Sequence, residues 1–120
     1  MLFRIDTSSQ RPLFEQLAAQ VRRAVLDGEL ADGERLPAAR ELAESLRINQ
    51  HTVLHAYQLL RDEGLIELRR GRGAVITARS AQRYQRLSEA LDAVRQEARR
   101  LGLPLSAVAT MIEHPVEETA

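Results

Sequence analysis

His51, His55 and Gln58 are spaced four and three residues apart, which puts them on one side of a helix. All three are uncharged, of medium length, and carry hydrogen-bond donors and acceptors. Such a face can read base edges in a DNA groove. Val53, Ala56, Tyr57 and Leu60 fall on the opposite side, a stripe suited to burial. An ordinary amphipathic surface helix would show the same pattern, so the neighbouring segments must decide. The His51–His55 spacing could also hold zinc. No third ligand stands at a matching place: Asp62 and Glu63 lie two turns on, and His114 is close to the C-terminus. Polar, DNA-facing histidines are the expected reading, with no metal and no cofactor.

The second chemistry-bearing stretch is Arg70-Gly71-Arg72-Gly73. It separates Leu65–Arg69 from Ala74–Thr77, two segments of strand character, and so reads as a hairpin tip. Its glycines permit positive φ and close approach to another surface. Between Leu65 and Arg79 stand four arginines (Arg69, Arg70, Arg72, Arg79) against Glu67 alone. A tip of this kind suits insertion along a minor groove or against phosphates; a solvated hairpin is the alternative. Catalysis has no comparable support. No nucleophile–base pair, glycine-rich phosphate loop or carboxylate cluster appears at useful spacing, and Ser45 and Ser88 have no activating partner, so an enzyme is not expected.

These groups need a scaffold, and the chain supplies one in order. Pro12 fits the first turn of a helix. Leu13, Leu17, Val21 and Val25 recur every four residues with Phe14 and Ala24 beside them, giving an amphipathic helix that ends near Asp27-Gly28. Arg35-Leu36 is a candidate for a very short strand. Pro37 is expected to open a second helix, with Leu42, Ala43 and Leu46 buried and Arg40, Glu41 and Glu44 outward. Arg47, Ile48 and Asn49 then separate it from the histidine-bearing helix, for which Asn49 is the N-cap, Ile48 a staple onto Val53, and Gly64 the stop. Two helices joined by so tight a turn form a helix-turn-helix.

Ser80 is expected to cap a long helix reaching Leu101. Its apolar residues Tyr84, Leu87, Leu91, Val94, Ala98 and Leu101 are spaced 3, 4, 3, 4, 3, the spacing of an a/d seam. Pro104–Glu113 reads as a final helix with Leu105, Val108 and Ile112 on one side. A narrow seam flanked by arginines points to a partner helix, most simply from a second copy; folding back onto the chain's own core is the alternative. The expected fold is therefore mainly α with a small β wing: a winged helix-turn-helix over residues 1–79, a helical dimerisation hairpin over 80–114, and a flexible acidic tail over 115–120.

Composition sets outer limits. The 120 residues suffice for one domain and a helical appendage. Formal net charge is zero, so bulk charge gives no pointer to nucleic acid, and all 17 basic residues are arginine. The absence of cysteine excludes disulfides and thiolate chemistry. No apolar run approaches the ~20 residues that span a bilayer, and Met1–Arg4 followed by Asp6 lacks the form of a signal peptide. A cytoplasmic protein without membrane attachment is expected.

Several motifs in order carry a resemblance. Leu36-Pro37-Ala38-Ala39-Arg40-Glu41-Leu42-Ala43, Thr52-Val53, Ala56-Tyr57, Glu63-Gly64-Leu65-Ile66 and Arg70-Gly71-Arg72-Gly73 together resemble the GntR family of bacterial transcription regulators. Ile5-Asp6, Pro12-Leu13-Phe14-Glu15-Gln16 and the small helical tail look like its YtrA-type subfamily. The resemblance implies a homodimer that binds a double-stranded DNA operator, usually as a repressor. It also implies roles by position. Arg40 matches the arginine that reaches DNA from the second helix. Gln50, His51 and Thr52 match contacts at the start of the recognition helix, and Arg70, Gly71 and Arg72 match the wing tip. Asn49 and His55 complete the DNA-facing set. The chain departs from the family in having Ala38 where Ser is frequent, and Gln50 and Leu54 where many members have Arg.

The expected function is a sequence-specific DNA-binding regulator on a near-palindromic operator, with half-sites ~10 bp apart or a multiple of it. A winged-helix module that binds another protein is the competing reading. An unidentified small-molecule effector would have to lodge between subunits, since the helical pair is too small to enclose a pocket of ~300 Å³.

Overall fold

The four-residue recurrence of Leu13, Leu17, Val21 and Val25 does form a helix, α1 (Leu13–Leu26), with Pro12 at its N-cap and Gly28 at φ 80° beyond its end. The computed structural model describes residues 1–116, and contacts divide it into two units, Met1–Gln85 and the segment from Arg86 onward.

In the first unit, α2 (Ala39–Leu46) and α3 (Gln50–Asp62) follow α1. Helix α2 starts at Ala39 rather than at Pro37, because Pro37 and Ala38 are extended: Ala38, the N-cap, has φ −58° and ψ 142°. Its end is set by Arg47, a non-glycine residue held left-handed at φ 57°, whose N–H bonds back toward Glu44. That conformation is uncommon without glycine or asparagine. Here it turns the chain sharply between the two helices.

Strands β1 (Ile66–Arg69) and β2 (Gly73–Ile76) pair antiparallel, Ile66 opposite Ile76 and Arg69 opposite Gly73. The short 34–36 segment adds to the other edge of β2. Ile76 N–H donates to the Glu34 carbonyl at 2.8 Å, and Leu36 N–H to the Ala74 carbonyl at 2.8 Å. The N-terminal lead is tied to α1 by glutamine side chains. Gln20 Oε1 accepts from Arg4 N–H and Gln16 Oε1 from Asp6 N–H, both at 2.8 Å, while Gln16 Nε2 donates to the Asp6 carbonyl at 3.0 Å. Two amides thus satisfy backbone groups that would otherwise need a strand.

The core of this unit gathers Leu17 and Val21 of α1, Val53 and Leu60 of α3, and Leu65, Ile66 and Ile76 around the sheet. Leu60 and Val53 are fully enclosed. Truncating Leu60 to Ala would cost roughly 2–5 kcal/mol, a large share of a small domain's stability. Outside the core, Arg22 of α1 grips Glu63 beyond α3 in a two-pronged pair, Nε to Oε1 at 2.8 Å and Nη2 to Oε2 at 2.6 Å.

Helix α4 (Ser80–Leu101) begins in the first unit. Ser80 does not cap it. The residue is buried, its hydroxyl beside the Thr77 hydroxyl and donating to the Leu65 carbonyl at 3.3 Å. The cap comes from Asp32, whose carboxylate accepts the Arg79 and Ala81 N–H groups at 2.8 and 3.0 Å. Tyr84, one turn into α4, packs against the core of the first unit.

In the second unit, Gly102 at φ 69° ends α4, and Leu103 N–H returns to the Ala98 carbonyl at 2.8 Å. Helix α5 (Leu105–Glu113) follows, with Pro104 as its N-cap and no buried residue. Ala98 is buried. Leu87, Leu101, Leu105, Met111 and Ile112 are exposed, Leu101 at 72% and Ile112 at 63%. Of the expected tail over 115–120, residues 117–120, including Glu117 and Glu118, lie outside the described residues.

Candidate nucleic-acid interface

The two faces of α3 separate as their spacing requires. Val53, Ala56, Tyr57 and Leu60 are buried, while Gln50, His51, His55 and Gln58 are exposed. Asn49 caps the helix: its Oδ1 accepts the His51 N–H at 2.8 Å. This hydrogen bond commits the side-chain oxygen of Asn49 to the backbone and presents Gln50, His51 and Thr52 on the first turn, with Thr52 N–H bonded to the Asn49 carbonyl at 3.0 Å. The placement of α3 is anchored by Tyr57, whose hydroxyl donates to the Pro37 carbonyl at 2.6 Å and so ties α3 to the extended segment that leads into α2. Burial holds that phenol well above the ordinary tyrosine range.

His55 has a partner that its own helix does not reveal. Its ring stacks on Phe14 of α1, centroids 3.8 Å apart and planes 19° from parallel. The stacked pair stands at the edge of an open cleft of about 390 Å³ lined also by Leu13, Asn49, His51 and Thr52. In the sequence Phe14 stands beside the α1 stripe and within the motif at 12–16, with nothing to pair it with His55.

The wing tip is exposed at Arg70, Gly71 and Arg72. Arg72 N–H donates to the Arg69 carbonyl at 3.0 Å, and Gly71 and Gly73 take φ 81° and 72° to close the turn. Arg35 then braces the tip, its Nε donating to the Arg72 carbonyl at 3.0 Å. The guanidinium groups of Arg70 and Arg72 have no carboxylate partner among the described residues, whereas Arg69 is paired with Glu67 at 2.8 Å. Two of the four arginines near the hairpin thus carry uncompensated charge at its very end. Arg40 is 81% exposed on the outer face of α2 and, among the described residues, its one ion pair is with Glu44, at 3.5 Å across one helical turn. Such a pair is weak and easily exchanged for a phosphate.

An uncharged polar helix face, an exposed and weakly paired arginine on the preceding helix and a braced arginine tip make an arrangement suited to a groove and its two flanking backbones. Comparison with known proteins identifies the class. Residues 13–76 match the model of the gntR family of bacterial regulatory proteins. The chain belongs to the GntR family.

Among its GntR relatives, the HTH-type transcriptional repressor YtrA of Bacillus subtilis is 41% identical over 76 residues, 63% of this chain and 58% of YtrA. An HTH-type transcriptional regulator of Mycobacterium tuberculosis is 35% identical over 115 residues, covering 92% of this chain and 91% of that protein. The solved structure of YtrA from Sulfolobus acidocaldarius, a GntR-family transcription factor, is 33% identical with a TM-score of 0.61, over 78% of this chain and 99% of that one. This GntR chain is thus a transcription regulator of YtrA type, with a winged helix-turn-helix followed by C-terminal helices. No helix among the described residues is long and apolar enough to cross a membrane.

Proposed function

We propose that the protein is a homodimeric, cytoplasmic repressor that binds a near-palindromic operator. Residues 1–79 serve as the DNA-binding domain and 80–114 as the dimerisation region. Helix α3 enters the major groove, where Gln50 pairs with adenine and His51 or His55 meets a guanine acceptor or a phosphate. Arg40, Arg70 and Arg72 supply the salt-sensitive part of the affinity. The observation that carries this reading is the braced wing tip. Arg35 fixes the backbone of the tip at the Arg72 carbonyl, and from that braced turn Arg70 and Arg72 present positive charge that a phosphate backbone rewards.

The dimer rests on the apolar surface of the second unit. Of the six seam residues expected on α4, Ala98 is buried within its own chain and Tyr84 is half-buried against the core of the first unit. Leu87, Leu91, Val94 and Leu101 remain, joined by Leu105, Met111 and Ile112 of α5. An effector has one candidate seat there, the apolar cleft of about 320 Å³ between Val94, Ala98, Leu101, Leu103 and Val108. It is open to solvent, and a second subunit packed on this surface would close it.

Selection of bound duplexes from a random pool, followed by a mobility-shift salt series, tests the reading. A two-fold symmetric site and a steep log–log salt slope are expected. Indifference to every duplex in dilute buffer would instead favour a protein-binding winged helix.

A further inference from the structure

Helix α3 has a third kind of surface, neither its buried stripe nor its polar face. Leu54 lies four residues from both Gln50 and Gln58, on the flank turned toward the wing, and is half-buried. With Ala38, Ala39, Leu68 and Tyr57 it lines an open trough of about 390 Å³ between α2, α3 and the hairpin. Leu68 is 43% exposed there, although it shares its strand face with buried Ile66. The trough has almost no polar chemistry of its own. The Tyr57 hydroxyl is spent on the Pro37 carbonyl, and Arg69 is spent on Glu67. Arg70, at the rim, has a free guanidinium among the described residues and marks the side from which a phosphate backbone would approach.

The geometry points to a methyl-reading subsite: Leu54, with Ala39 and Leu68 beside it, receives the 5-methyl group of a thymine in the operator. This inference rests on the DNA-binding reading above and refines it. In the major groove the thymine methyl is the one apolar group a base pair displays, and aliphatic side chains recognise it by contact. A trough open along its length accepts the edge of a duplex rather than an enclosed small molecule. The unpaired arginine at its border supplies the charge complementarity that a duplex needs and that an apolar protein partner would not use.

The test uses the full chain and duplexes it selects from a random pool. Each thymine is replaced singly by deoxyuridine, which removes the methyl and leaves the hydrogen-bonding edge intact. At one thymine per half-site the affinity is expected to fall about fourfold, the worth of one buried methyl-sized group. Leu54→Ala is expected to bind the thymine and uracil duplexes equally while keeping the wild-type salt slope. Uracil tolerated at every position would overturn the subsite alone and leave the trough to a protein partner. Methyl sensitivity that persists in Leu54→Ala would overturn it too, by placing the reader elsewhere. Failure to bind any duplex would remove the DNA-binding reading itself, and the subsite with it.

Discussion

Asp32 accepts the backbone N–H of Arg79 at 2.8 Å and holds that residue at φ 72°, immediately before α4. The same carboxylate takes the Ala81 N–H, so an acid 47 residues upstream of Arg79 satisfies two donors at the start of the longest helix. Negative charge at a helix N-terminus is favourable as well as geometrically apt. Asp32→Ala should lower stability by about 0.5–2 kcal/mol, the usual worth of an N-cap. Asp32→Asn should recover most of it. Urea denaturation measures the stability, and hydrogen exchange at Arg79 and Ala81 should quicken in the alanine variant first.

Bracing of the wing predicts an indirect effect. Arg35→Ala should weaken operator binding although Arg35 donates to the Arg72 carbonyl and not to DNA. Arg72→Ala should weaken binding almost uniformly across sequences and reduce the salt slope by about one for each phosphate it ceases to neutralise. Arg35→Ala is expected to lower affinity while leaving that slope nearly unchanged. An equal drop in slope for the two variants would mean that Arg35 itself meets a phosphate.

Burial raises the pKa of Tyr57 above its ordinary value. The unfolded chain therefore releases the phenol proton first as pH rises. Stability from burying the neutral ring is complete below about pH 10, the unfolded value, and drains away as pH climbs from there toward the higher folded value. Tyr57→Phe should be less stable near pH 7 by about 0.5–1.5 kcal/mol through loss of the hydrogen bond to Pro37, yet lose less on moving to alkaline pH. Tyr84, raised by partial burial and then by Glu63, leaves a smaller residual dependence. Urea midpoints at about pH 8 and about pH 10.5, on either side of the unfolded value, give both comparisons.

Exposed apolar residues of the second unit should hold two chains together. Leu101→Glu combined with Ile112→Glu places charge where both side chains are largely solvent-accessible in one chain, at 72% and 63%. The folded first unit should be untouched, by circular dichroism. Sedimentation should show a shift from dimer to monomer, and operator affinity should drop by at least about tenfold as the two half-sites cease to be bound together. An unchanged sedimentation coefficient would place the dimer interface elsewhere.

What the order of residues determined by itself is the local architecture. Period-four leucines and valines made α1, Asn49 and Gly64 bounded α3, and the Arg-Gly-Arg-Gly run made the tip, because each depends on neighbours within a turn or two. The sorting of α3 into a buried stripe and a polar face was equally legible, since helical geometry alone assigns it. Tertiary structure decided everything that joins distant segments. Asp32 capped α4 in place of Ser80, Phe14 stacked on His55, Arg35 braced the Arg72 carbonyl, and Tyr84 packed in part against the core of the first unit. None of these pairs has a spacing that signals it, because the energy comes from satisfying polar groups and covering apolar surface once the chain has packed, and that depends on which surfaces meet.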